Sequence, residues 1–294
     1  MEITSAQNPR IKHLLALQQK SQLRRQEGLF VVEGRRELEH CLRAGYEIEE
    51  LYYLPLTPSE RKGEKTGMLL DQLLNEEEHP FPLRSEGIKG RYCLTPSLYE
   101  RIAYRGSTEG VIAIVKERCL TLSDLKVSSP VSGRRAAEGE ASLIVVLESV
   151  EKPGNLGAVL RSADAAGADA VIVCDPLTDL YNPNLIRSSI GAIFTVPTIA
   201  CTSEECIAFL KQQGIQILTA QLQDSKLYYD TDMCGPTAIV MGTESTGLTQ
   251  QWREAATAHI RIPMLGRLDS LNVSVSAAIL LFEAVRQRTI KPKS

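Results

Sequence analysis

No stretch of this 294-residue chain reaches the run of about 18 apolar residues that a helix needs to cross a bilayer, so no membrane role is expected. The opening MEITSAQNPRIKHLL has no apolar segment of the kind found in secretory leaders, and export is not expected either. A Cys-x-x-Cys pair is missing. The seven cysteines stand at 41, 93, 119, 174, 201, 206 and 234, an odd and scattered set. That pattern speaks against a disulfide framework and for free thiols in a reducing cytoplasm. Histidine is scarce: the four residues, at 13, 40, 79 and 259, keep no metal-ligand spacing, and no metal is expected. A Gly-x-Gly-x-x-Gly fingerprint is also missing. Asp175 ends an apolar run, but Gly154-Asn155-Leu156-Gly157 has the wrong spacing for a nicotinamide dehydrogenase.

The net charge is −3, so no globally basic surface marks a nucleic-acid partner. Charge is uneven, however. Residues 1–45 hold Arg10, Lys12, Lys20, Arg24, Arg25, Arg35, Arg36 and Arg43. Such a stretch reads either as a solvated helix face or as a local stripe touching phosphates.

What is present is enough apolar residue for real cores, 43% of the chain, in two segments. The polar, aperiodic TLSDLKVSSPVSGRRAAEGEAS divides them, which gives a first domain at 1–117, a linker at 118–142 and a second domain at 143–294. In the first, a helix is expected from Asn8-Pro9 onward, since proline suits a first helical turn. LFVVEG and IEELYYL read as strands, RRELEHCLRAG as an amphipathic helix ending at Gly45, SLYERIAY as a helix and GVIAIVKE as a closing strand. This is a small α/β domain. The second segment repeats strand then helix, from SLIVVLES through NLGAVLRSADAAG, DAVIVCD and SEECIAFLKQQG (with Ser203 as the expected cap) to TAIVMG and HIRIPM. Alternation of this kind predicts an α/β fold with a mostly parallel sheet covered on both faces.

In such sheets ligands bind beyond the carboxyl ends of the strands. Three turns there carry chemistry. ESVEKPGNLGAVLR holds Asn155 and Arg161. GTESTGL brackets Glu244 with Gly242 and Gly247. LGRLDSLNVSVSAA leads through Ser270, Leu271, Asn272 and Ser274 into an apolar helix. Taken singly, each has a plain structural reading. Asn155 and the Ser/Asn set suit helix caps, Arg161 suits an ion pair with Asp164, and Glu244 suits a solvated turn. DSLNVSVS also alternates with strand period before AAILLFEAV takes helix character.

Together, in this order, NLGAVLRSA, VMGTESTGL and IPMLGRLDSLNVSVSAAILLFEAVRQR resemble the motifs of the SpoU, or TrmH, branch of the SPOUT RNA methyltransferases. The resemblance covers residues 143–290 closely. More loosely, residues 1–117 resemble the small ribosomal-protein-like RNA-binding domain that many members carry. It implies a SPOUT-type sheet whose C-terminal part is tied in a trefoil knot, an exception to the rule that chains do not thread loops. It implies S-adenosylmethionine bound in that knot near Gly242, Ile262, Met264, Leu271 and Ser274. It implies methyl transfer to a ribose 2′-hydroxyl, with Asn155, Arg161, Glu244, Ser270 and Asn272 as the catalytic set. Homodimers that pack through the final helix, an rRNA rather than tRNA substrate and a cytoplasmic location complete the expectation. A base-nitrogen methyltransferase and an inactive RNA-binding or assembly protein are the alternatives.

Overall fold

The computed structural model describes residues 1–55, 88–104, 110–127, 141–243, 246–268 and 270–289. They form two compact units, Met1–Arg118 with Asp179–Thr195, and Cys119–Thr178 with Val196–Ser294.

The first unit runs β1 (Glu2–Ile3), α1 (Pro9–Gln19), α2 (Ser21–Glu27), β2 (Leu29–Glu33), α3 (Arg35–Arg43), β3 (Ile48–Tyr53), β4 (Gly90–Leu94), α4 (Pro96–Ile102) and β5 (Val111–Lys116). The strands make one mixed sheet in the order β1-β4-β3-β5-β2. Asn8 caps α1 by accepting a hydrogen bond from Arg10 N at 2.9 Å, and Pro9 opens the first turn, where its missing N–H costs nothing. Ile11, Leu14 and Leu17, on one face of α1, bury with Val31, Tyr52 and Ile114 of the sheet. The single helix expected here breaks at Lys20, which has extended backbone, and resumes as α2 up to Gly28 in the left-handed region at φ 63°.

Arg24, expected among exposed phosphate contacts, is only 4% exposed. It pairs with Asp179 at 2.6 Å and donates to Leu17 O at 2.5 Å and Gln18 O at 3.1 Å. Its charge is used inside the unit. Lys20 and Arg25 remain exposed.

Asp179 belongs to a segment that leaves the second unit's chain between two of its strands. Short helices at Pro183–Ser188 and Ala192–Thr195 sit in this segment. Phe30 stacks on Tyr181 with ring centroids 4.2 Å apart, and Tyr46 meets Phe194 edge-on at 5.2 Å. Tyr181 donates to Arg118 O at 2.7 Å, and burial pushes its phenol up.

The second unit runs β6 (Leu143–Glu148), α5 (Pro153–Ala165), β7 (Ala170–Cys174), β8 (Thr198–Cys201), α6 (Ser203–Gln212), β9 (Gln216–Ala220), β10 (Lys226–Leu227), β11 (Thr237–Met241), α7 (Gln250–Ala255), β12 (Ala258–Arg261) and α8 (Val273–Thr289). Its seven strands lie in the order β10-β12-β9-β11-β6-β7-β8. Among the described residues every pairing is parallel. The inner strands β6, β7 and β11 are buried throughout, as an all-parallel sheet with helices on both faces requires. Ile144, Val146, Ala170 and Ile172 meet Leu210 of α6 and Trp252 of α7 in one core. Helices α5 and α8 pack against each other and on β7 and β11. The last turn of α8 is held by Arg288, which donates to Ala141 O, Gly235 O and Met233 O at 2.5, 2.9 and 3.0 Å.

The start of the stretch read as linker is part of this unit. Leu122, Leu125 and buried Val127 pack on its core, and residues 128–140 lie outside the described set. The strand period of DSLNVSVS does not yield a strand: residues 273–289 are helical. Thr202, not Ser203, caps α6. It forms a capping box in which Glu205 N donates to Thr202 Oγ1 at 3.2 Å and Thr202 N donates to Glu205 Oε2 at 2.8 Å.

Candidate active site

Beyond the carboxyl ends of β9, β11 and β12 lies a cavity of about 390 Å³, within the range of small-molecule sites. Its walls come from residues 220–223, 241–243, 246–248, 253, 260–262 and 264, and from the segment entering α8. Five residues expected at a cofactor or catalytic position line it: Gly242, Ile262, Met264, Ser270 and Leu271. The loops after β9, together with Arg253 of α7, were not singled out from the sequence. Their only signal is position, after a parallel strand's carboxyl end.

Gly242 is glycine for a steric reason. A Cβ there would lie 2.3 Å from Gly247 O and 2.6 Å from Leu248 N. The loop closes on itself at this point, with Gly247 N donating to Thr243 O at 3.1 Å and Gly247 in the left-handed region at φ 67°. Thr246 N donates to Thr243 Oγ1 at 3.1 Å inside the same turn. Glu244 lies outside the described residues.

The segment 270–276 joins this wall to α5. Asn272 is the N-terminal cap of α8: Val275 N and Ser276 N donate to its carbonyl, each at 3.0 Å. Its side-chain Oδ1 accepts from Ser274 N at 2.9 Å and from Ser274 Oγ at 2.6 Å. The other end of the amide, Nδ2, donates to Asn155 Oδ1 at 3.1 Å. Ser274, expected in the cofactor wall, is turned instead onto this cap, and Val273 and Ser276 line the cavity in its vicinity. The reason is helical geometry: an N2 hydroxyl lies beside the cap oxygen. Asn155 is itself the third residue of α5 and so not a cap. Arg161, two turns further along α5, is exposed. Among the described residues it has no ion-pair partner, Asp164 included.

Behind the cavity loop sits a buried carboxylate that the sequence did not announce. Glu148, 2% exposed at the end of β6, accepts from Thr249 N at 2.9 Å and Thr249 Oγ1 at 2.6 Å. Ser203 Oγ donates to Asp175 Oδ2 at 2.6 Å and accepts from Trp252 Nε1 at 2.9 Å. These bonds fix the residue that follows the 242–248 loop and the start of α7, so the wall is preorganised rather than loose.

Residues 142–282 match the SpoU rRNA methylase family model, and residues 8–113 match an MRM3-like substrate-binding domain. The 23S rRNA (guanosine-2′-O-)-methyltransferase RlmB of Pseudomonas syringae pv. tomato is 40% identical over 152 residues, which are 51% of this chain and 61% of that protein. The chain thus spans about three-fifths of that relative's length. A crystal structure described as an RNA 2′-O ribose methyltransferase is 36% identical with a TM-score of 0.76, over 99% of this chain and all of that one. An AdoMet-bound rRNA methyltransferase from Sinorhizobium meliloti is 27% identical with a TM-score of 0.81, over 99% of both chains. With residues 142–282 matching the family and an RNA 2′-O ribose methyltransferase structure 36% identical over 99% of this chain and all of that one, this chain belongs to the SpoU methylase family.

Proposed function

We propose that the protein transfers a methyl group from S-adenosylmethionine to a ribose 2′-hydroxyl of structured RNA, with rRNA as the substrate class. The observation that carries this is the junction of three parts. A small-molecule cavity lies at the ends of β9, β11 and β12, the segment 270–276 forms one of its walls, and Asn272 of that segment is bonded to Asn155 on the helix that bears Arg161.

The cavity suits the cofactor. Leu248, Ile262 and Leu271 offer apolar surface for a base, and Thr243, Thr246 and Ser270 offer hydroxyls. Among the described residues, two buried side-chain atoms in the wall, Gln221 Oε1 and Arg253 Nε, have no hydrogen-bond partner, and a polar ligand would supply one. When bound, the cofactor supplies a methyl group already activated by sulfonium charge. What remains for the chain is alignment and charge control. The Asn155–Asn272 bridge holds the mouth of the cavity against α5, which sets the ribose relative to the methyl. Arginine keeps its charge, so Arg161 serves as an anchor for the neighbouring phosphate and a stabiliser of negative charge developing on the 2′-oxygen. By the family resemblance, Glu244 would hold this network in place.

Two further parts of the reading follow the family resemblance. The return of the chain from β12 through 262–272, beside the 242–248 loop, is the crossing of a trefoil knot. The enzyme works in the cytoplasm as a homodimer through α8, where Val275 and Phe282, two turns apart, are 46% and 47% exposed.

The test is transfer of labelled methyl to rRNA from cells lacking the gene, followed by alkaline hydrolysis. The expected result is one labelled nucleotide whose 3′ bond resists cleavage. Label on a base, or none on RNA, would overturn the reading.

A further inference from the structure

The three sulfurs of Cys174, Cys201 and Cys206 lie within 4.8 Å of one another in the second unit. Sequence spacing hid this, because the residues come from three elements. Cys174 ends β7, Cys201 ends β8, and the two are directly paired in the parallel ladder, so both side chains leave the same face of the sheet. Helix α6 crosses that face and presents Cys206 one turn from its start. All three are free thiols rather than disulfides.

Cysteines serving only as small apolar residues have no reason to converge sulfur on sulfur. Cys174 and Cys206 are fully buried, whereas Cys201 is half-buried and gives access from solvent. Asp175 and Glu205 stand near Cys201, and their negative field favours a cation. Tetrahedral thiolate coordination at a metal–sulfur distance of about 2.3 Å needs sulfurs about 3.8 Å apart. The observed separations, all within 4.8 Å, lie about 1 Å above that spacing at most.

We propose that Cys174, Cys201 and Cys206 form a three-thiolate site for a soft d10 metal ion of the zinc class, with the fourth position open on the Cys201 side. Binding replaces thiol protons by the metal and releases them to solvent. The ion ties the ends of β7 and β8 to α6. Cys174 is in register with Glu148 on the neighbouring strand, so the site braces the sheet edge beside the carboxylate that holds Thr249.

The experiment uses the full chain, reduced and stripped with chelator, then given Zn(II) alone and desalted. Wild type is expected to retain one zinc per chain and to melt at a higher temperature for it. Co(II) in its place should give thiolate-to-cobalt charge-transfer absorption. Cys201→Ala, at the accessible corner, should lose metal retention, the cobalt band and the metal-induced rise in Tm while keeping the far-UV spectrum and metal-free Tm of the wild type. Cys119→Ala and Cys234→Ala, the exposed thiols, should retain all three signals. Wild type that retains no zinc, or Cys174→Ala, Cys201→Ala and Cys206→Ala variants that each bind like wild type, would overturn the site. So would oxidation of these thiols to a disulfide under conditions where no metal is retained.

Discussion

Asn272 Nδ2 donates to Asn155 Oδ1 across 3.1 Å, joining two residues 117 positions apart while the same Asn272 side chain caps α8 through Oδ1. One amide therefore does two jobs with opposite ends, and substitutions separate them. Asn272→Asp keeps the capping oxygen and places negative charge at a helix N-terminus, but it loses the donor. Its melting temperature should match wild type while methyl transfer falls to the level of Asn155→Ala. Asn272→Ala should lose transfer and, in addition, about 1 kcal/mol of stability with its cap. Thermal melts and single-turnover rates on these variants check the division. An active Asn272→Asp would show that the bridge is not used.

Arg161 stands exposed on α5, outside the cavity wall. If it acts on the RNA ribose and phosphate, Arg161→Ala should abolish transfer and leave S-adenosylmethionine affinity, measured by calorimetry, unchanged. Arg161→Lys should recover little, because an ammonium cannot offer the planar fork to a phosphate. Near-normal turnover by Arg161→Ala would remove this residue from the mechanism.

The elements of the second unit were legible because inner parallel strands are short apolar runs and their helices end at Gly167 and Gly214. The cavity position followed from strand direction alone. Other features were not legible, each for a physical reason. Lys226–Leu227 forms a strand of two residues, too short to show a period. DSLNVSVS alternates like a strand, yet its asparagine and serine pair with one another at a helix start. Ser203 looked like a cap, but the Ser/Thr-x-x-Glu spacing belongs to Thr202 and Glu205, a signal that was there to be read. Asp179–Thr195 follows a strand of the second unit yet packs with Phe30 and Tyr46 of the first, a tertiary fact with no local signature. The thiol triangle likewise arises only when β7, β8 and α6 are assembled.

Charge in the N-terminal helices divides into a structural and a solvent-facing part. Arg24 is buried on Asp179, with two backbone carbonyls completing its shell. Asp179→Ala would leave that guanidinium buried without its carboxylate, and a loss of about 3–5 kcal/mol is expected. Arg25→Glu, one residue on and exposed, should leave the denaturation midpoint unchanged. It should instead weaken RNA binding and flatten its dependence on salt by about one phosphate contact. Urea melts paired with binding titrations across salt concentrations distinguish the two. Equal destabilisation by both variants would mean that the burial difference carries no weight.

Near the end of α8, Glu283 accepts from Arg286 Nε at 2.8 Å and Nη2 at 2.7 Å, and from Gln287 Nε2 at 2.8 Å. Gln287 in turn accepts from Met233 N at 2.8 Å and donates to Thr231 O at 3.0 Å, so the carboxylate anchors the loop before β11 to the helix. The Arg286 hydrogen bonds hold the Glu283 carboxyl below its ordinary range, with burial opposing. An acid with a depressed folded pKa contributes stability that is present above its unfolded value, about 4.3, and is lost as pH falls through the folded one. Glu283→Gln should therefore melt below wild type at neutral pH, and the gap should close as the solution is acidified past that point. Because Arg286 is half exposed, added salt should narrow the gap at neutral pH as well. Melting curves of the two proteins between neutral pH and pH of about 3 give the comparison, and a gap that stays constant or widens in acid would show that the carboxylate charge is not what holds this end of α8.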